Sequence, residues 1–166
     1  VLGRESTLEY TPGEKSNDRN LLLFYDRENA KNKKMHIAFL TPEYTTEEGW
    51  DGGLANYLRR ITHGLIERGF VVSIFVISNE NSIMYEDGIM IHRIKFPEFI
   101  FNLFNNLTLK QIPMSLTALM TGFVLSREFE KACNSQYYDI VQTTNYLAPG
   151  LFLSKKVINT PVVLRL

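Results

Sequence analysis

The chain holds a single cysteine, Cys133, in 166 residues. No intrachain disulfide can form, and no cysteine-based zinc site can be assembled from this chain alone. A reducing, cytoplasmic setting is the simplest expectation, with Cys133 acting as a small packed apolar group at the end of a helix. Net charge is absent too: 18 basic and 18 acidic side chains cancel. Nothing in that balance points to the broad basic face needed for a general electrostatic grip on nucleic acid. No secretory signal is visible. The apolar stretch 114–125 is far shorter than the ~20 residues of a membrane-spanning helix. Histidine is scarce, and His36, His63 and His92 lack spaced partners, so no metal site is expected and each reads as a core or surface residue.

What remains is a globular composition, with 45% apolar and 22% charged residues. The length suits one domain with a real core. Residues 1–34 differ from the rest. They are polar and charged, carry Pro12 and Gly13, and contain one apolar island, LLLFY at 21–25, with strand character. This segment reads as an extension or linker, or as the tail of an upstream domain. The chain opens on Val1 and closes within the strand-like VVLRL, so a processed chain or a fragment is expected.

From Met35 the pattern becomes regular. MHIAFLT is a compact apolar run, the mark of a buried parallel strand, and Pro42 ends it. After a polar loop, Leu54, Leu58, Ile61 and Leu65 recur at helical spacing from about Gly53 to Arg68, and Gly69 stands where a left-handed C-cap belongs. FVVSIFVIS is a second buried strand. IMIHRIKF, around 89–96, is a third, preceded by the turn Glu86-Asp87-Gly88. The aromatic stretch 96–104 reads as packing under a long loop or as an apolar lip for an acceptor or membrane surface. Leu116, Leu119, Met120, Phe123 and Val124 mark a long helix that fades near Asn134. YDIVQTT gives a fourth strand, 147–158 a short helix, and PVVLRL a fifth strand. Alternating strands and helices predict an α/β fold, a Rossmann-like doubly wound parallel sheet covering 35–166.

In such sheets ligands bind beyond the carboxyl ends of the strands. Three segments should converge there: 41–53, the stretch after Phe96, and 143–149. The first ends in Gly52-Gly53 and runs into a helix, which aims free backbone amides and the positive end of a helix dipole at one point, a natural phosphate site. Glycine lets a ligand approach without a Cβ in the way. The same pair also serves as a plain tight turn, with Asp51 as N-cap. Gly49, Gly52 and Gly53 lie about ten residues past the strand, so they do not match the dinucleotide-binding G-x-G-x-x-G, and no phosphate-loop G-x-x-x-x-G-K-[ST] is present.

TPEY…GGLANYLRRITHGLIERGFVVSIF resembles the opening of the retaining GT-B glycosyltransferases of the glycogen synthase and sucrose synthase type. Those chains have an apolar strand, a Pro-containing loop, a Gly-Gly pair and a helix ending L-x-x-R-G-H-x-V, where this chain has Phe70 in place of His. YDIVQTTNYLAPGLFLSKKVINTPVVLRL resembles the later D-I-V strand, short loop, helix and P-V-V strand. The resemblance spans 35–166. It implies the N-terminal, acceptor-side half of a two-domain enzyme, with the C-terminal donor-binding half missing from this sequence. It implies transfer from a nucleotide sugar to a sugar, glycan or lipid-linked acceptor, with retention, no cofactor and no required metal. By the same resemblance, Gly52 and Gly53 present amides to the donor diphosphate. Glu48 and Asp51 contact sugar hydroxyls or are solvated loop acids. Thr144 and Asn145 stand where many members place a histidine near the transferred sugar. A non-catalytic nucleotide- or partner-binding module is the alternative, and a nicotinamide or flavin oxidoreductase a weaker one.

Overall fold

The computed structural model describes residues 34–47, 52–97, 114–154 and 160–165. The apolar island at 21–25 and the aromatic residues 98–104 lie outside them. The elements are β1 (His36–Thr41), α1 (Gly53–Glu67), β2 (Val71–Ser78), β3 (Ser82–Glu86), β4 (Ile89–Lys95), α2 (Met114–Cys133), β5 (Ile140–Thr144) and β6 (Val162–Arg165). They build one six-stranded sheet in the order β3-β4-β2-β1-β5-β6. β4, β2, β1, β5 and β6 are parallel, and β3 is antiparallel at the edge. The parallel strands therefore follow the Rossmann-like order, reversing direction at β1.

Strand periodicity sorts side chains to two faces. Ile37, Phe39, Val72, Ile74, Val76, Ile89 and Ile91 pack with Leu58 of α1. Ala38, Leu40, Phe75, Ile94 and Val141 pack with Val124, Leu125 and Phe129 of α2. One helix thus covers each face, as a doubly wound sheet requires. α1 stops at a Schellman motif: the Gly69 amide donates to Ile66 O and the Phe70 amide to Leu65 O, with Gly69 at φ +83°.

Four local expectations are corrected. First, a strand, β3, lies between β2 and β4, where the sequence reading expects only the turn at Glu86-Asp87-Gly88. The Asp87-Gly88 turn has both residues at positive φ (49° and 81°), so it closes a two-residue hairpin whose first arm is β3. Second, 147–154 forms successive turns rather than a helix. Leu147 (φ 55°) and Ala148 (φ 44°) are left-handed, and Pro149 follows; residues 155–158 lie outside the described set. Third, Leu119 and Phe123 of α2 face solvent (43% exposed each). Beside Val124, Leu125 and Phe129, the buried residues of that helix include the small Gly122 and Ser126, against which the 148–150 turn packs. Ser126 Oγ donates to Pro149 O at 3.1 Å. Fourth, the N-cap of α1 is Gly52, with no side-chain cap, and not Asp51, which lies outside the described residues.

The histidines are placed as the sequence suggests. His36 and His92 are buried under α2, and half-buried His63 sits on α1 with Nε2 3.7 Å from Asp87 Oδ2. His36 Nδ1 donates to Tyr137 O (3.1 Å) and Nε2 accepts from Ser73 Oγ (2.8 Å), the pattern of a neutral ring. Burial lowers His36 to about 4 and His92 to about 3. Cys133, the last residue of α2, packs against the core, and burial pushes its thiol up to about 11, which disfavours the thiolate. At the far margin, Val162, Val163 and Leu164 of β6 remain exposed.

Candidate functional site

The order reversal places a crevice beyond the carboxyl ends of β1 and β5, its position in open α/β sheets. The loop leaving β1 is held rigidly on one side of it. Thr41 Oγ1 donates to Glu43 O at 2.9 Å. Tyr44 OH donates to Thr62 Oγ1 (3.1 Å), whose own proton goes to Leu58 O, so the loop is tied to α1. Glu47 is clamped by Arg93 of β4 through Nε to Oε1 (2.8 Å) and Nη2 to Oε2 (2.9 Å), and Arg93 also pairs with Glu80. A bidentate pair fixes direction as well as distance. Residues 48–51, with Glu48 and Asp51, lie outside the described set.

The next wall is the start of α1. Gly52 is extended (φ −66°, ψ 173°), and the first turn holds no acidic side chain. The first amides of a helix have no intrahelical acceptor, so this end presents N–H groups and a positive dipole, with no side-chain cap among the described residues. A Cβ built on Gly53 meets nothing within 4 Å, and one on Gly52 comes 3.5 Å from Glu43 Oε1. Backbone at Gly53 is therefore open to the crevice.

The third wall is the turn after β5. Thr144 is buried and its Oγ1 donates to Tyr146 O (3.2 Å), while Asn145 is exposed and its amide donates to Arg165 O (3.1 Å) at the end of β6. Gly150 fits where it does because a Cβ there would lie 2.8 Å from Thr143 Cγ2.

These walls enclose a cavity of about 480 Å³. Glu43 lines it from the β1 loop; Gly53, Leu54 and Tyr57 from α1; Thr144, Asn145 and Tyr146 from the β5 turn; Arg165 from β6. Three of the sequence candidates, Gly53, Thr144 and Asn145, thus share one cavity, and Gly52 is its near neighbour. Sequence reasoning missed Glu43, Tyr57, Tyr146 and Arg165. Arg165 had a signal: it is the one charge inside the apolar run PVVLRL. Its guanidinium carbon lies 3.1 Å from the centroid of the Tyr57 ring. Its Nη1 is buried and has no hydrogen-bond partner among the described residues.

Among the described residues no group of three or more His, Cys, Asp or Glu side chains could hold a metal ion, and no helix is long and apolar enough to cross a membrane. No protein-family profile, curated protein or solved structure matches the chain.

Proposed function

We propose that this chain is the acceptor-side, Rossmann-like half of a retaining GT-B glycosyltransferase, working on a nucleotide sugar in the cytoplasm together with a donor-binding half. The observation that carries the reading is the shared cavity. An uncapped helix start, an open Gly53, the Thr144–Asn145 turn and a cation all face one space at the sheet's reversal point. The chemistry of sugar transfer needs stabilisation of charge building on a departing diphosphate, and fixed N–H dipoles with a cation supply it. Thr144, Asn145 and Glu43 add hydroxyl, amide and carboxylate partners of the kind sugar hydroxyls use. Glu48 and Asp51 enter the reading only through the sequence pattern.

The test has two arms. The coding sequence past Leu166 is read for a second Rossmann-like half holding two glutamates about eight apart with an upstream basic residue. The protein carrying that half is then assayed for transfer of labelled sugar from nucleotide sugars. Transfer that disappears in Gly53→Val supports the reading. A stop codon directly after Leu166, or full turnover by the 166-residue chain alone, overturns it.

A further inference from the structure

We infer that Arg165 is the specificity residue of this cavity, and that it selects a ligand carrying a phosphoryl group. The inference rests on the glycosyl-transfer reading for its choice of ligand, and it gives the cation of that reading a role in selecting the ligand.

Three observations lead to it. Arg165 ends β6, the margin strand, yet it is directed inward to line the cavity, while its strand neighbours Val162, Val163 and Leu164 stand in solvent. Its guanidinium is braced over the Tyr57 ring, a cation–π contact that fixes the group without using its N–H donors. One of those donors, Nη1, is shut away from water and bonded to nothing among the described residues. A buried guanidinium N–H left unbonded is costly, so the position is one where a ligand acceptor restores the balance.

The lining says which acceptor. Glu43, the acid of the same cavity, makes no ion pair with Arg165 among the described residues, so the charge of the guanidinium is not answered from within. The start of α1 lines the same cavity, and a helix start also favours an anion. A guanidinium and a helix start on one cavity suit a tetrahedral oxyanion, because a planar fork can bond two oxygens and backbone amides a third. Glu43, Asn145 and Tyr146 around it suit the hydroxyls and the face of an attached sugar. Two sources supply this chemistry: the diphosphate of a nucleotide-sugar donor, or a phosphate on the acceptor.

Calorimetric titration of the protein with inorganic pyrophosphate, uridine diphosphate and glucose 1-phosphate tests the inference. Saturable binding is expected, weakened at least tenfold in Arg165→Gln and several-fold in Arg165→Lys, which keeps the charge but loses the fork. Binding by pyrophosphate and uridine diphosphate alone assigns the donor diphosphate; binding by glucose 1-phosphate assigns an acceptor phosphate. Should Arg165→Gln not fold, Arg165→Lys and the rise of the wild-type melting temperature with pyrophosphate carry the test. No binding by any of the three at millimolar concentration overturns the inference, as does equal binding by wild type and both Arg165 variants. Because this readout needs no turnover, it fails or succeeds separately from the transfer assay.

Discussion

The imidazole of His92 stacks on the ring of Phe75, with centroids 4.3 Å apart and planes 6° from parallel. Its Nε2 is buried without a hydrogen-bond partner among the described residues, and desolvation followed by the nearby His36 lowers it to about 3. Both histidines are therefore neutral in the fold but take up a proton near 6.5 when unfolded. The unfolded state binds more protons as pH falls, so stability is complete above about pH 6.5 and is lost progressively as pH falls toward about 4 for His36 and about 3 for His92. The His36 share is on the order of 3 kcal/mol. Urea midpoints measured from pH 7.5 to 4 should fall, and His92→Phe should flatten the curve. An identical slope in wild type and variant would remove His92 as its source.

Gly53→Val separates site from scaffold. A Cβ at this cavity-lining position meets nothing within 4 Å among the described residues outside its own helix and chain neighbours. The melting temperature should hold within a degree or two, whereas kcat/KM of the enzyme containing both halves should fall by the equivalent of roughly 2–4 kcal/mol, as for a lost oxyanion donor. Wild-type kinetics in the variant would remove the glycine from the site.

Gly122→Ala should do the reverse. The added Cβ would come 2.6 Å from the backbone oxygen of Ala148, so α2 or the turn must move. A loss of about 1–3 kcal/mol in urea unfolding is expected from such overpacking. An unchanged midpoint would show that the turn yields freely.

Arg93→Met leaves the Glu47 carboxylate, whose side chain is only 5% exposed, without its fork. Removal of one partner of a desolvated pair is costly; because Arg93 is itself partly exposed, about 2–3 kcal/mol is expected. The double variant Arg93→Met, Glu47→Leu should regain part of it. Additive losses in the double-mutant cycle would show that the pair is not coupled.

The parallel framework was legible because each buried strand announces itself: MHIAFLT, FVVSIFVIS and YDIVQTT are short apolar runs. The helix at 53–67 was legible for its spacing and its terminal glycine. β3 was not, because Ser82–Glu86 is half-exposed at an edge and has no apolar alternation; Asp87-Gly88 was the available clue, and it marks a hairpin more strongly than a generic turn. The 147–154 turns were misread because their apolar composition imitates a helix, while Leu147 and Ala148 are left-handed and the Ala148 carbonyl lies against Gly122 of α2. Of the site, glycines and loop polar residues were visible as local motifs. Arg165 and Glu43 were not, since what joins them is a crossover of the sheet rather than proximity in the chain.

β6 hydrogen-bonds to β5 on one side, and its Val162, Val163 and Leu164 are 45%, 47% and 57% exposed. Among the described residues β6 is the margin of the sheet, and an unpaired margin with aliphatic side chains is a place where further strand can add. The same four-residue ribbon ends in the cation that faces the cavity. Arg165 lies opposite Thr144 in the β5–β6 register, so the pairing of these two strands sets where the guanidinium stands in the cavity.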